Sequence, residues 1–367
     1  MRAEPPVPSA ALAAMRAPLE AGAERLDAPL LQPLGLLLDL AGETMRASLF
    51  VVQAEGAAEY CLRPDFTVAI AEAHVAGGKA EGRYLYEGPA FRASRGPEPE
   101  ESLQLGLETF ASNASVEADV EAANLAWRAA AAGGRDDLSL WLGDVGLFAA
   151  FIESLGLPEA LAARLRRMAG RPRLLNAELA RAGKPVAAAE DGQLAATLSG
   201  LSEGGAAAML EEVWSLAGVE PVGGRGAAEI AARLVRKAKA AQAPALTQAQ
   251  AGAVGDFMAI SAPPAEGLKA VQALAGKGGA IGPALDAWER RLDGLEAGAL
   301  VFAPALGHAF DYYDGITFEV RSAALGPARP VAVGGRYDGL IARLGGRSAG
   351  AVGCMVRPWR AYAGGEA

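Results

Sequence analysis

Strand-forming runs stand at both ends of this chain and vanish between them, and that distribution limits the available folds more than any other feature. Short runs with β-branched or aromatic content, "SLFVVQ", "AEYCLRP", "RYLYEGPAFRAS" and "ESLQLGLETF", occupy residues 48–110, punctuated by Gly and Pro. Strand character returns after residue 298 with "ALVFAPAL", "FDYYDGITFEV", "PVAVGG" and "GAVGCMV". A sheet must then be assembled from both ends of the chain, which predicts an α+β fold built on a mostly antiparallel sheet flanked by helices. From about Pro158 to Ile260 the chain is Ala-rich with helical spacing, as in Leu161, Leu165 and Met168. The expected organisation is a core whose first part is 1–157 and second part 261–367, with a helical insertion at 158–260. A chain of 367 residues has room for two or more such compact units.

Helices are expected from Leu31 to about Met45, with Leu34, Leu37, Leu38 and Ala41 on one stripe, and over "DFTVAIAEAHVAGG", which a Gly pair ends. Residues 115–131 form another around Leu125 and Trp127, and "DLSLWLGDVGLFAAFIESLG" reads as a strand leading into a helix. A later helix carries Leu285, Trp288, Leu292 and Leu295. The sequence holds no internal repeat.

Apolar residues make up 51% and charged residues 21%, as in a soluble globular protein. No apolar run approaches the roughly 18 residues that span a bilayer, and the N-terminus lacks a basic region followed by a clean apolar core, so a cytoplasmic protein without a membrane partner is expected. Cys61 and Cys354 are the only cysteines and His74 and His308 the only histidines, too few and too scattered for a disulfide framework, a metal site or a nucleophile–base pair. The net charge of −9 disfavours nucleic acid. The basic runs Arg164, Arg166, Arg167, Arg171, Arg173 and Arg236, Lys237, Lys239 read as solvated helix faces, since no aromatic residues interleave for base stacking.

Several strand positions carry polar groups in register. In "LQLGLETF", alternation puts Gln104, Gly106 and Glu108 on one face, with Gln104 and Glu108 about 13 Å apart and Gly106 leaving space between. Such a shelf suits a ligand amine, or it is an outward solvated face. In "RPDFT", Asp65 and Thr67 face the same way if extended and can grip an ammonium group, or one of them caps the following helix. In "FDYYDGITFEV", Asp311, Tyr313, Thr317 and Glu319 share a polar face and Phe310, Tyr312, Ile316, Phe318 and Val320 an apolar one. Gly315 suggests a bulge or a close approach to the backbone. "VAVGGRYDGL" is a strand, a Gly pair (Gly334, Gly335) and a turn into a helix, leaving N–H groups free for a carboxylate at the helix start, but without the spacing of a dinucleotide or Walker loop.

Taken in order, "CLRPDFTVAIAEAHV", "YEGPAFRASR…LQLGLETF", "FDYYDGITFEV", "GGRYDGLIARLGG" and "AVGCMVRPWR" resemble the catalytic core of histidyl-tRNA synthetase, a class II synthetase, over most of residues 30–360 outside the helical segment. The resemblance implies a histidine pocket formed by Asp65, Thr67, Gln104, Glu108, Tyr313 and Tyr337, with Arg92, Tyr312, Gly334 and Gly335 as further candidates. Asp65 stands where the family usually has Glu. The departures bear on chemistry. The family's "RGLDYY" Arg falls at His308, a group largely neutral at pH 7, and losing one preorganised charge donor costs about 3 to 4 kcal/mol, or roughly 100 to 1000-fold in rate. In the third motif Gly is replaced by Arg357, which should block a nucleotide, and Glu by Trp359, leaving Arg360. The second motif keeps Arg92 and Arg95, yet its loop carries Glu98, Glu100 and Glu101, which repel phosphates, and Ser102 stands where an aromatic stacks on adenine. The chain ends seven residues after Arg360, so the anticodon-binding domain of about 100 residues is not expected.

An intact amino-acid pocket beside broken nucleotide elements is similar to the synthetase-like regulatory subunits of ATP phosphoribosyltransferase. That resemblance implies a non-catalytic chain without cofactor, binding L-histidine as a feedback effector and activating a short-form catalytic subunit in a hetero-oligomer. It further implies a homodimeric unit formed near Leu34 to Phe50. The alternatives are a truncated synthetase-like enzyme that activates an amino acid with ATP, and a scaffold or regulator of another enzyme.

Overall fold

The computed structural model describes residues 2–53, 58–94, 96, 98–168, 172–183, 201, 203–217, 246–275, 281–307, 312–347 and 350–365. The chain divides into two compact units, Met1–Ser154 with Phe257–Ala367, and Leu155–Asp256. The division falls at 155 and 256, not at 158 and 260, because Phe257 stacks on Phe151 with ring centroids 4.4 Å apart and so belongs to the first unit.

The first unit is built on an eight-stranded sheet whose spatial order is β1 (Glu24–Arg25), β5 (Gly82–Phe91), β6 (Glu101–Ala111), β11 (Gly350–Val356), β10 (Ala332–Arg336), β9 (Ile316–Ser322), β7 (Leu138–Asp144) and β8 (Leu300–Phe302). Both ends of the chain supply it. Only β1 with β5 and β7 with β8 pair in parallel, so the fold is α+β on a mostly antiparallel sheet. A separate three-stranded sheet holds β2 (Leu31–Pro33), β4 (Tyr60–Leu62) and β3 (Val51–Val52).

Alternation gives the large sheet two unlike faces. One is apolar: Leu105 and Leu107, Val352, Cys354 and Val356, Phe318 and Val320, and Leu140 and Leu142 are all buried. The Val116–Ala131 helix packs on this face against β10 and β11. Ser115 caps it, its Oγ accepting from the Ala118 N–H at 3.1 Å, and Ala122, Ala123, Ala126, Ala129 and Ala130 let it lie close. The other face carries Gln104, Gly106 and Glu108 on β6, flanked in register by Tyr86 and Tyr84 on β5 and by Met355 and Gly353 on β11. Its far end is closed by the Thr67–Gly77 helix and by Leu340 and Ile341, which share an apolar cluster with Phe66, Ile70, Tyr84 and Phe110.

Several local expectations change. Leu31–Pro33 is a strand, and the first expected helix is confined to Leu34–Ala41, because Gly42 takes φ +83 and stops it. A helix at Ser9–Arg16, not foreseen, buries Met15, with Leu19 buried just beyond. β9 begins only at Ile316, so Tyr312 and Tyr313 precede the strand and do not alternate across it. His308, Phe310, Asp311 and Arg95 lie outside the described residues.

The second unit contains helices Glu159–Arg166, Pro172–Leu179 and Glu203–Ala217, together with most of Gln248–Ala259. Arg164 is not on a solvated face: its side chain is 12% exposed and pairs with Glu178, itself 7% exposed. Of the other basic residues named, Arg166 pairs with Glu159, while Arg171, Arg236, Lys237 and Lys239 lie outside the described residues. Among the described residues no helix is long and apolar enough to cross a membrane.

Candidate functional site

The polar face of the sheet opens into a cavity of about 440 Å³ that lies wholly within the first unit. Asp65, Thr67, Gln104, Tyr312, Tyr313 and Arg92 all line it, so six of the ten expected pocket residues meet at one cavity. The β6 shelf is not a solvated face, since Gln104 is 1% and Glu108 2% exposed. Phe66 occupies the N-cap without a side-chain cap bond, the Asp65 carboxylate lies by the Thr67 and Val68 amides at the helix start, and the Thr67 hydroxyl turns to Glu108.

Asp65 defines the electrostatics. Neither carboxylate oxygen has a partner in hydrogen-bond geometry, although the Thr67 and Val68 amides lie close enough to oppose the effect of burial. Burial pushes its pKa up to about 6, and the Arg92 guanidinium draws it down. A buried carboxylate without a partner costs stability, and a cationic ligand group would repay that cost. Gln104 adds a second orphan, for its Oε1 is buried and unpartnered.

Glu108 and Tyr337 do not line the cavity; they stand behind its wall. The Thr67 hydroxyl donates to Glu108 Oε1 at 2.6 Å, and the Tyr337 hydroxyl donates to Glu108 Oε2. Burial raises Glu108 to about 7 against the pull of those two bonds. Gly353, opposite Glu108 in the ladder, makes room for it: an added Cβ would overlap Glu108 Oε2. Tyr313 and Tyr337 meet edge to face at 6.2 Å, and Tyr312 tilts against Tyr313 at 4.8 Å. Gly335 lies beneath the Tyr313 ring, whereas Gly334 faces the other way, toward Phe318, and neither glycine lines the cavity. The helix start after "GGRY" does not await a ligand carboxylate, because Asp314 already accepts from the Asp338 and Gly339 amides at 3.0 and 2.7 Å.

The far end of the cavity is basic. Arg357 and Arg360 line it with Arg92, Ser102 and Glu98. Glu98 is internally engaged, bonded to Arg360 at 2.8 Å and paired with Arg329 at 3.1 Å. Arg357 donates to Ser102 Oγ at 3.3 Å. Tyr86, which the sequence reading passed over, also lines the cavity; it sits opposite Gly106 in register and covers the space that glycine leaves. A glycine amid large strand residues is the signal that could have found it. Among the described residues no cluster of His, Cys, Asp or Glu could hold a metal ion.

Comparison with known proteins fits this geometry. The family described as histidyl-tRNA synthetase matches residues 12–212 and 219–358. The ATP phosphoribosyltransferase regulatory subunit of Mesorhizobium japonicum is 34% identical over 339 residues, 88% of each chain. Its counterpart in Allorhizobium ampelinum is 33% identical over 89% of each. Among solved structures, an ATP phosphoribosyltransferase regulatory subunit/histidyl-tRNA synthetase from Bacillus halodurans C superposes with TM-score 0.64 at 20% identity, covering 95% of this chain and 76% of that one. A histidine–tRNA ligase subunit from Alicyclobacillus acidocaldarius gives TM-score 0.58 at 24% identity, covering 98% and 94%. At these identities the two structures show the fold, a class II synthetase core, while the sequence relatives carry the family. The chain belongs to the histidyl-tRNA synthetase-like family of ATP phosphoribosyltransferase regulatory subunits.

Proposed function

We propose that this chain activates a short-form ATP phosphoribosyltransferase catalytic subunit and binds L-histidine for feedback inhibition, with no catalysis of its own. The observation that carries the reading is the buried Asp65 carboxylate, unpartnered at the wall of a cavity it shares with Thr67, Gln104 and Tyr313. Asp65, Thr67 and Gln104 hold the α-ammonium group. Tyr313, with Tyr337 and Glu108 immediately behind it, reads the imidazole. The basic end supports the absence of catalysis, since Arg360 is already engaged by Glu98 and the bulky Arg357 lines the cavity where the family has a glycine. The net charge of −9 argues against tRNA. For feedback, histidine must bind the inhibited assembly more tightly than the active one, typically by about 1–3 kcal/mol.

Calorimetry with L-histidine on the full chain and on its complex with the catalytic subunit tests the assignment. Saturable binding is expected, with no histidine-dependent exchange of pyrophosphate into ATP. Absence of binding in both samples, or robust exchange, would sink it.

The unit that enters the complex is proposed to be a homodimer. Leu30, Leu31, Val51, Val52 and Tyr60 are all exposed large apolar groups on or beside the three-stranded sheet, more than scattered surface hydrophobics require. Sedimentation velocity is expected to give a dimer that Val51→Asp converts to monomer; a wild-type monomer at micromolar concentration rules the arrangement out.

A further inference from the structure

The proposed histidine site accounts for an ammonium group and an imidazole but leaves the ligand's carboxylate unassigned, and the ladder between β6 and β11 supplies a partner for it. The ladder pairing ends with Val356 opposite Leu105, so the next residues, Arg357 and Gln104, adjoin across the two strands. Alternation puts both on the cavity face, with Met355 and Ser102 beside them, and all four line the cavity. Gln104 is 1% exposed and its Oε1 has no partner; Arg357 Nε is likewise buried without one. Two orphaned polar groups of opposite hydrogen-bonding sense, an acceptor and a donor, therefore stand side by side facing the same space. They do not satisfy each other.

We propose that Arg357 reads the α-carboxylate of the bound amino acid, so that the pocket selects a free zwitterion over analogues that keep the ammonium and imidazole but lack the carboxylate. This rests on the histidine reading above. In the resemblance Arg357 stood only as a block to nucleotides; the register gives it a ligand.

The charge arrangement fits. Arg357 is a half-buried residue that opens to the cavity, while its guanidinium sits deep enough that burial, then Arg360 and Arg92, push its pKa down to about 9, leaving it charged at neutral pH. Arg360 has Glu98 at 2.8 Å, whereas Arg357 donates to the neutral Ser102 hydroxyl and feels Glu4 and Glu98 through space. Those two acids do not offset burial and the neighbouring arginines, and the Arg357 Nε is left without a hydrogen-bond partner. Arg92 lies between the ends electrostatically, acting on Asp65 and on Arg357 alike. An ammonium at Asp65 and a carboxylate at Arg357 would each meet an opposite charge in a site where one charge alone is expensive. The planar guanidinium fork matches a carboxylate in a way that an alcohol or amide does not.

Calorimetry on the full chain and its complex at pH 7 tests this with L-histidine and L-histidinol, which differ only at the carboxylate carbon. Wild type is expected to favour histidine by about 30-fold or more, and Arg357→Gln to lose that preference by weakening histidine while leaving histidinol nearly unchanged. Arg357→Lys, which keeps the charge without the fork, should recover part of it. Equal affinity of the wild type for the two ligands overturns the proposal without any variant. So does an Arg357→Gln protein that melts normally and still prefers histidine, and in both of those cases the histidine assignment survives. Failure of the wild type to bind histidine at all removes both.

Discussion

Asp65→Asn is expected to weaken L-histidine binding on the order of 100-fold while making the unliganded protein more stable at alkaline pH. The two effects have one cause. Asp65 is buried, and neither the Arg92 guanidinium nor the nearby Thr67 and Val68 amides outweigh that burial, so its charge is costly until an ammonium group arrives. Removing one partner of a buried charge pair costs about 2–5 kcal/mol, and 1.4 kcal/mol is tenfold in affinity. The sign for stability follows from burial raising the pKa to about 6. Below about pH 4 the carboxyl is protonated in both folded and unfolded chains and exacts no penalty. As pH rises through about 6 the unfolded chain gains the ionised form first, and stability is lost; Asn escapes that loss. The advantage of the variant should be on the order of 1–3 kcal/mol at pH 8 and vanish toward pH 4. Histidine affinity of the wild type should fall as pH drops through about 6, after correction for the ligand's own imidazole. Urea unfolding at several pH values and calorimetry with histidine check both, together with the histidine concentration that half-inhibits the complex relative to its own uninhibited rate. A variant that is less stable at pH 8 would mean that Arg92 and the Thr67 and Val68 amides outweigh the burial of Asp65, and unchanged histidine affinity would place the ammonium elsewhere.

Much of this site could be read from the chain because period-two alternation transfers directly from sequence to sheet. Gln104 and Glu108 share a face in the structure as spacing requires, and Asp65 and Thr67 meet them. What alternation cannot give is depth. Glu108 and Gln104 are equivalent along β6, yet Gln104 lines the cavity and Glu108 lies behind the wall, because Thr67 and Tyr337 converge on Glu108 from distant segments. The same limit explains Tyr312 and Tyr313. Assigned to opposite faces of a strand, they both reach the cavity, since the strand starts three residues after Tyr313. The loop acids show a further limit. Read singly they repel phosphate, but Glu98 is bound to Arg360 and Arg329, a pairing that depends on the chain's two ends meeting. At the level of architecture the strand runs placed the sheet well, whereas Leu31–Pro33 resembled helix because its apolar pattern continues smoothly into the helix after it.

The largest effect on stability is expected from Asp119→Ala. Asp119 is fully buried on the Val116–Ala131 helix, where an acid in the first turn would ordinarily be a solvated complement to the helix dipole. Instead it accepts from Arg336 on β10 at 2.7 Å and from Arg291 on the Ile281–Gly294 helix at 2.8 Å. One carboxylate therefore joins a helix, the central sheet and a second helix. Breaking a buried pair by removing one partner typically costs about 3–5 kcal/mol, because the remaining charge stays buried. Here neither arginine is wholly abandoned: Arg336 keeps Asp338 at 2.9 Å, and Arg291 has Asp144 at 3.8 Å. Those second partners put the expected loss near the lower end, about 3 kcal/mol in urea unfolding at pH 7. Combining the change with Arg291→Met should recover part of it, as coupled neighbours do and independent sites do not. The loss should reach the ligand pocket as well. Arg336 precedes Tyr337, and Asp338 ties both Arg336 and the Ala351 amide, so loosening this knot frees the tyrosine that holds Glu108. A variant that lost less than about 1 kcal/mol would behave as a surface pair does, and would mean that the Asp338 and Asp144 contacts alone suffice to hold the two arginines.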